Sequence, residues 1–154
     1  MEIFINQRFK EKLWRDCKIF PYLISALQSP NFVVHSYAAS SCIDKILTLR
    51  NFSTSSPKFT REHSRPFLLQ IISSCIQILS LHQSKENEYV MRCIMRIVSV
   101  AQDDIGMSSV SLMQTLSQIL DSVSANPSNP SFKHYLFESI CCYPKINWTK
   151  KLRS

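Results

Sequence analysis

One glycine in 154 residues is the tightest constraint on what this chain can fold into. Hairpins and tight turns draw heavily on glycine, so a β-rich fold would lack its commonest corner residue. Phosphate-binding loops are excluded, because neither GxGxxG nor GxxxxGK(S/T) can be written around Gly106 alone. A nucleophile elbow needs glycines as well, so the abundant serines have none to sit in. Helix is what remains. Leu68, Ile71, Ile72, Cys75, Ile76 and Leu79 fall at i, i+3, i+4, i+7, i+8 and i+11, the stripe of a half-buried helix. Val90, Ile94, Ile97, Val98 and Ala101 form a second stripe, and Leu112, Met113, Leu116, Ile119, Leu120 and Val123 a third.

A larger period lies above the helical one. Three times a short polar lead-in meets a tyrosine that opens an apolar helical stretch. The copies are Val34-His35-Ser36-Tyr37-Ala38-Ala39, Asn87-Glu88-Tyr89-Val90-Met91 and Lys133-His134-Tyr135-Leu136-Phe137. Tyr37 and Tyr89 are 52 residues apart, Tyr89 and Tyr135 46. Another apolar helix precedes each copy, so the unit is a helix pair of about 45 residues, the length of a HEAT or armadillo repeat. Such a unit buries its apolar face only by stacking on neighbours. The predicted fold is all-α, an armadillo-like HEAT-repeat solenoid of about three antiparallel pairs near residues 19–50, 60–102 and 109–142. The three tyrosines are expected at equivalent places on the second helices.

Turn residues mark the joints. Ser29-Pro30-Asn31 ends the first helix, and the next is expected from Phe32 to Leu49 with Val34, Ala38, Cys42, Ile46 and Leu49 inward. Thr60 has the character of an N-cap, and Glu62 sits in the first turn, where the helix dipole favours an acid. Pro66 should occupy a first turn or kink a longer helix begun at Arg61. Ser84-Lys85-Glu86, Asp103–Gly106 and Asn126–Pro130 read as further turns. Pro144 is expected to interrupt the last helix, which leaves residues 143–154 as a basic tail; residues 1–18 read as an irregular N-terminal segment.

The net charge of +7 suggests nucleic acid until it is located. Residues 143–154 hold Lys145, Lys150, Lys151 and Arg153 with no acid, and residues 1–18 carry a net +2. The body, 19–142, has nine basic and eight acidic groups, so it lacks the basic stripe of a nucleic-acid binder. Six cysteines, Cys17, Cys42, Cys75, Cys93, Cys141 and Cys142, match neither a CxxC knuckle nor a small secreted framework. Cys42, Cys75 and Cys93 fall among Ile, Leu and Val, where a free thiol packs as a small hydrophobe, and this favours a reducing compartment. No signal-like or membrane-spanning apolar run is present in the sequence. A soluble, intracellular protein is the expectation.

No reaction centre emerges. His35, His63, His82 and His134 form neither HExxH nor HxxxH, and His35 borders an apolar face, as a packed or capping residue would. No metal, cofactor, small-molecule substrate or membrane partner is expected. The more suggestive polar residues are Ser40 and Asp44, Arg92 and Arg96, and His134 and Glu138, each pair four apart on a second helix. In a helix-pair solenoid these helices commonly line the concave side, so the six residues are candidate partner contacts. An inter-repeat ladder of arginine to acid, or a solvated helix face, is the alternative.

At these residues a family resemblance appears. The segments 33–39, 86–96 and 126–140 closely resemble the CAS-type exportins, the importin-α re-exporters of the importin-β (karyopherin) superfamily, and are similar in flavour to plant members. The three matches stand in order and span about residues 20–140, whereas residues 1–18 and the stretch after Cys142 depart from the pattern. The resemblance implies a HEAT-repeat superhelix that binds Ran-GTP and importin-α in the nucleus. It would return importin-α to the cytoplasm and release it on GTP hydrolysis. Full members are several times longer, so the chain is expected to be a slice from the middle of the superhelix. A helical-repeat adaptor without Ran-coupled transport is the alternative function.

Overall fold

Three asparagines set the frame. A computed structural model describes residues 19–48, 54–56, 61–101, 108–125 and 128–151, and among them there is helix and no strand. Asn31 Oδ1 accepts from the amides of Val33 (2.9 Å) and Val34 (3.3 Å). Asn87 Oδ1 accepts from Tyr89 (3.1 Å) and Val90 (3.3 Å), and Asn129 Oδ1 from Phe132 (3.1 Å). Each thus satisfies amides that a helix start leaves without an internal partner. Pro130 follows Asn129 as the first helical residue, where its missing N–H costs nothing.

The helices in order are α1 (Ile19–Leu27), α2 (Phe32–Tyr37), a π-helical stretch (Ala38–Asp44), α3 (Lys45–Thr48), α4 (Arg61–Leu79), a short 3-10 turn (His82–Ser84), α5 (Glu88–Ala101), α6 (Ser108–Ala125) and α7 (Pro130–Lys151). First helices α1, α4 and α6 alternate with second helices α2–α3, α5 and α7. The second helices form a continuous layer, because α5 packs on the π stretch to one side and on α7 to the other. Against this layer α1 packs on α4, α4 on α5, and α6 on α7. This is the all-α stack of helix pairs that the sequence predicts. α5 sits at its centre, with Val90, Met91, Cys93, Ile94, Met95, Ile97, Val98 and Ala101 all buried. Phe20, Leu27, Ile43, Ile71, Leu116, Phe132 and Leu136 complete the core from the other helices. Each such side chain removed from water stabilises by about 1.5–3 kcal/mol.

Hydrogen bonds lace the loops across the repeat seams. Gln83 Nε2 donates to Pro30 O (3.0 Å), and Asn87 Nδ2 to Ser36 Oγ (2.7 Å). His35 is fully buried there, 3.0 Å from Ser29 O through Nδ1 and 3.0 Å from Ser84 Oγ through Nε2. A carbonyl can only accept, so Nδ1 carries the proton and donates to Ser29 O, while the serine hydroxyl can serve Nε2 as donor or acceptor. His35 is thus a packed seam residue. At the second seam Asn129 Nδ2 donates to Glu86 O (3.3 Å) and Ser128 Oγ to Glu86 Oε2 (2.5 Å).

Several expectations are corrected. Counted from the asparagine caps, Tyr37 and Tyr135 are each six residues in, but Tyr89 is only two. The tyrosine of the second repeat is therefore not equivalent to the other two, and the cap is the true repeat marker. Of the positions expected inward, Ala38 is buried but Val34 is 42% exposed; His35, Ala39, Ile43 and Leu47 are buried as well. A π turn is wider than an α turn, so steps of four stay on one face through Ala38–Asp44. Leu49 and the side chains of Cys42 and Ile46 lie outside the described residues, as do Thr60, residues 1–18 and the Asp103–Gly106 turn. α4 begins at Arg61 and carries Pro66 within it, the second of the two placements expected for that proline. α7 runs through Pro144 to Lys151, beyond the end expected near Cys142. Proline removes one helical hydrogen bond, and the helix continues past that single loss.

Candidate partner-binding face on the second helices

On α5 only a narrow strip escapes burial, and Arg92 and Arg96 lie on it one turn apart. Both reach back across the first seam to Asp44 at the end of the π stretch. Arg96 Nε donates to Asp44 Oδ1 at 3.1 Å, and Arg92 Nε lies 3.4 Å from Oδ2. The Asp44 side chain is 12% exposed and the two arginines 31% and 35%, so the cluster is partly withdrawn from water. Arg92 also crosses the second seam: its guanidinium carbon lies 6.0 Å from the centroid of the Tyr135 ring on α7. A cation at that distance is attracted by the ring's negative face. One chain of contacts, Asp44 to Arg92 and Arg96 to Tyr135, therefore spans all three repeats. The ladder of arginine to acid weighed from the sequence is present.

Its charge is unbalanced. Two guanidiniums share one carboxylate, and Arg92 Nε is buried with no hydrogen-bond partner among the described residues. Among the described residues the cluster thus keeps one positive charge in excess, held in position by its contacts across both seams.

The remaining candidates take lesser places. His134 and Glu138 pair with each other along α7 at 3.7 Å, both exposed, a geometry worth little in high dielectric. They are not part of the Asp44 cluster, although the His134 ring leans on Tyr135 at 5.3 Å. Counted from the caps, Arg92 and His134 share one register position, and Arg96 and Glu138 another. Ser40 lies half-buried in the π stretch, four residues before Asp44. Tyr135 is the contributor that sequence reasoning missed. In the sequence it stands out as a repeat marker, but its role as a ring beneath Arg92 depends on how α5 and α7 are set side by side. Behind the face, Cys93 and Cys75 are buried and free. The Cys93 thiol is pushed well above its ordinary range by its hydrogen bond to Cys75 and by burial; the charge of Asp44 adds to this and that of Arg92 opposes it. It stays a neutral, packed thiol.

With this geometry in place, comparison with known proteins assigns the family. The family described as CAS/CSE protein, C-terminus, matches residues 44–153, well over half of the chain. This chain belongs to the CAS/CSE family. Exportin-2 of Mus musculus is 40% identical over 144 residues, which is 94% of the chain and 14% of the relative. Exportin-2 of Xenopus laevis is 38% identical over 126 residues, 82% of the chain and 13% of the relative. The importin-alpha re-exporter of Schizosaccharomyces pombe is 38% identical over 124 residues, 79% of the chain and 13% of the relative. The chain thus spans about one seventh of the length of these CAS/CSE relatives. Since 144 of 154 residues align with the mouse protein, the likeness enters both end segments, contrary to the expectation that they depart from the family.

Proposed function

We propose that this chain forms part of an importin-α export receptor, and that the face carrying Arg92 and Arg96 belongs to the wall against which its protein ligands lie. The observation that carries the reading is the unbalanced cluster: two partly buried guanidiniums held against one carboxylate. Acidic side chains on a partner complement such a face and fix its register. The name of the fission-yeast relative supports importin-α as the cargo. Ran-GTP is the second ligand, as the family resemblance implies, and the receptor moves between nucleus and cytoplasm. The chain binds and carries; it catalyses no reaction. In such a receptor each ligand raises affinity for the other by the same factor.

The test is a calorimetric titration of importin-α, with and without Ran-GTP, into the chain and into its Arg92→Ala/Arg96→Ala variant. The double substitution is expected to weaken binding about tenfold, roughly 1.4 kcal/mol. Undiminished binding by the variant, or no binding by the parent chain, would refute the assignment. A second reading, an adaptor without Ran-coupled transport, draws on the same cluster, since Asp44, Arg92, Arg96 and Tyr135 already engage one another across the seams. Importin-α binding that is indifferent to Ran-GTP would select it.

A further inference from the structure

A cleft of about 600 Å³ opens where the three loop regions meet at the starts of the second helices. Phe32 at the head of α2 and Tyr89 at the head of α5 give it two rings, both exposed to solvent. Its titratable walls, besides Tyr89, are His82, Lys85, Glu86 and Glu88. Tyr89 lies one turn before Arg92, so the cleft continues the strip that carries the two arginines.

Two of the three side-chain amides lining the cleft are fully engaged, and the third, Gln83, spends its Nε2 on Pro30 O. Asn87 uses Nδ2 on Ser36 and Oδ1 on the α5 cap, while Asn129 uses Nδ2 on Glu86 O and Oδ1 on the α7 cap. Ser128 donates its hydroxyl to one oxygen of Glu86. Among the described residues, the charged acceptors still presented to the cleft are thus the Glu88 carboxylate and the second oxygen of Glu86, beside the neutral Gln83 Oε1. Both glutamates are half-buried, where charge is screened less, whereas Lys85, also on the cleft wall, is exposed, so water screens its hydrated ammonium more fully. Aromatic faces beside carboxylates are the surroundings that favour a guanidinium, which stacks on the ring and forms paired hydrogen bonds to the acid. A single side chain would not fill this volume, and the walls come from all three repeats, so the fit is to an extended segment.

We propose that this cleft docks an arginine-bearing extended segment of a partner protein, its guanidinium against Tyr89 or Phe32 and bonded to Glu88 and Glu86. This goes beyond the role given to Arg92 and Arg96 and is tested separately from it. The probe is a labelled octapeptide of alanine and glycine with two arginines, titrated by fluorescence anisotropy into the full chain. Its citrulline and glutamate counterparts serve as controls. The arginine peptide should bind about tenfold tighter than its neutral citrulline isostere, as charge-assisted and cation–π contacts require. Glu88→Gln and Tyr89→Ala should each weaken it about fivefold, with helical circular dichroism unchanged, and Tyr89→Phe should retain it. Arg96→Ala, outside the cleft, should leave it unaltered. Equal binding of the citrulline peptide, tighter binding of the glutamate peptide, or no peptide binding at all would overturn the assignment. Self-association abolished by Glu88→Gln would overturn it too, by giving the cleft to a second copy of this chain.

Discussion

Replacing Asp44 with asparagine keeps the shape of the side chain and removes the one negative charge that Arg92 and Arg96 share. An exposed ion pair is worth about 0.2–1 kcal/mol, while breaking a buried one costs about 3–5 kcal/mol. Asp44, at 12% exposure against guanidiniums at 31% and 35%, lies between those limits. The substitution should therefore cost about 2 kcal/mol. For a domain of this size that lowers Tm by about 4–8 °C. The loss should shrink as salt is raised, because the arginines are partly exposed and mobile ions screen them. Thermal and urea unfolding followed by circular dichroism measure it, and double-mutant cycles divide it. Coupling of Asp44 to Arg96, which makes the 3.1 Å hydrogen bond, should be about 1–2 kcal/mol. Coupling to Arg92, at 3.4 Å and with its Nε unbonded, should be smaller. An Asp44→Asn variant melting within about 1 °C of the parent would refute the reasoning, as would a stronger coupling to Arg92 than to Arg96.

Two further outcomes follow from the seams and the core. Asn87→Ala removes a cap and the buried bond to Ser36 together, so it should cost about 2–3 kcal/mol against about 1 for Asn31→Ala, whose cap bonds are exposed; urea midpoints compare the two. The raised pKa of Cys93 has a signed consequence. The unfolded thiol ionises near 9.0 while the folded one holds its proton, so the contribution is complete below that pH and is lost as pH rises above it. Stability should fall by about 1.4 kcal/mol per pH unit there from this group, and Cys93→Ala should remove that part of the slope; an unchanged slope in melts from pH 8 to about 10 would count against the buried neutral thiol.

The stripes of α4, α5 and α6 were legible because burial on one side imposes a 3.6-residue period on the choice of Ile, Leu and Val. The frame of the repeat was less so. Tyrosine at 37, 89 and 135 attracts the eye, but a helix begins where a side chain can accept its first amides, and Asn31, Asn87 and Asn129 do that. On the second helix of the first pair Ala38 is inward as expected, but an α period carried from it misses the π turns that follow, where Ala39 and Ile43 are buried. Pro144 reads as a stop in the sequence, although one missing hydrogen bond does not end a helix by itself. For the candidate face, Asp44, Arg92 and Arg96 could be named from helical spacing, and their meeting was open as a ladder. Tyr135 beneath Arg92, and the cleft between three loops, depend on how neighbouring helices are set side by side. No periodicity within one segment encodes that.

The π stretch between Ala38 and Asp44 has a consequence for how this region can change in length. Each i→i+5 turn holds one residue more than the i→i+4 turn it replaces. A chain shortened by one residue here could relax to α geometry while Phe32–Tyr37 before it and Lys45–Thr48 after it kept their seats. The same deletion inside α5 would rotate every later side chain by about 100° and carry Arg96 away from Asp44. Insertions and deletions among relatives should therefore gather in this one stretch of the second-helix layer and be absent from α5. The slack in the π turns lets the carboxylate keep its place while the length of the helix before it drifts.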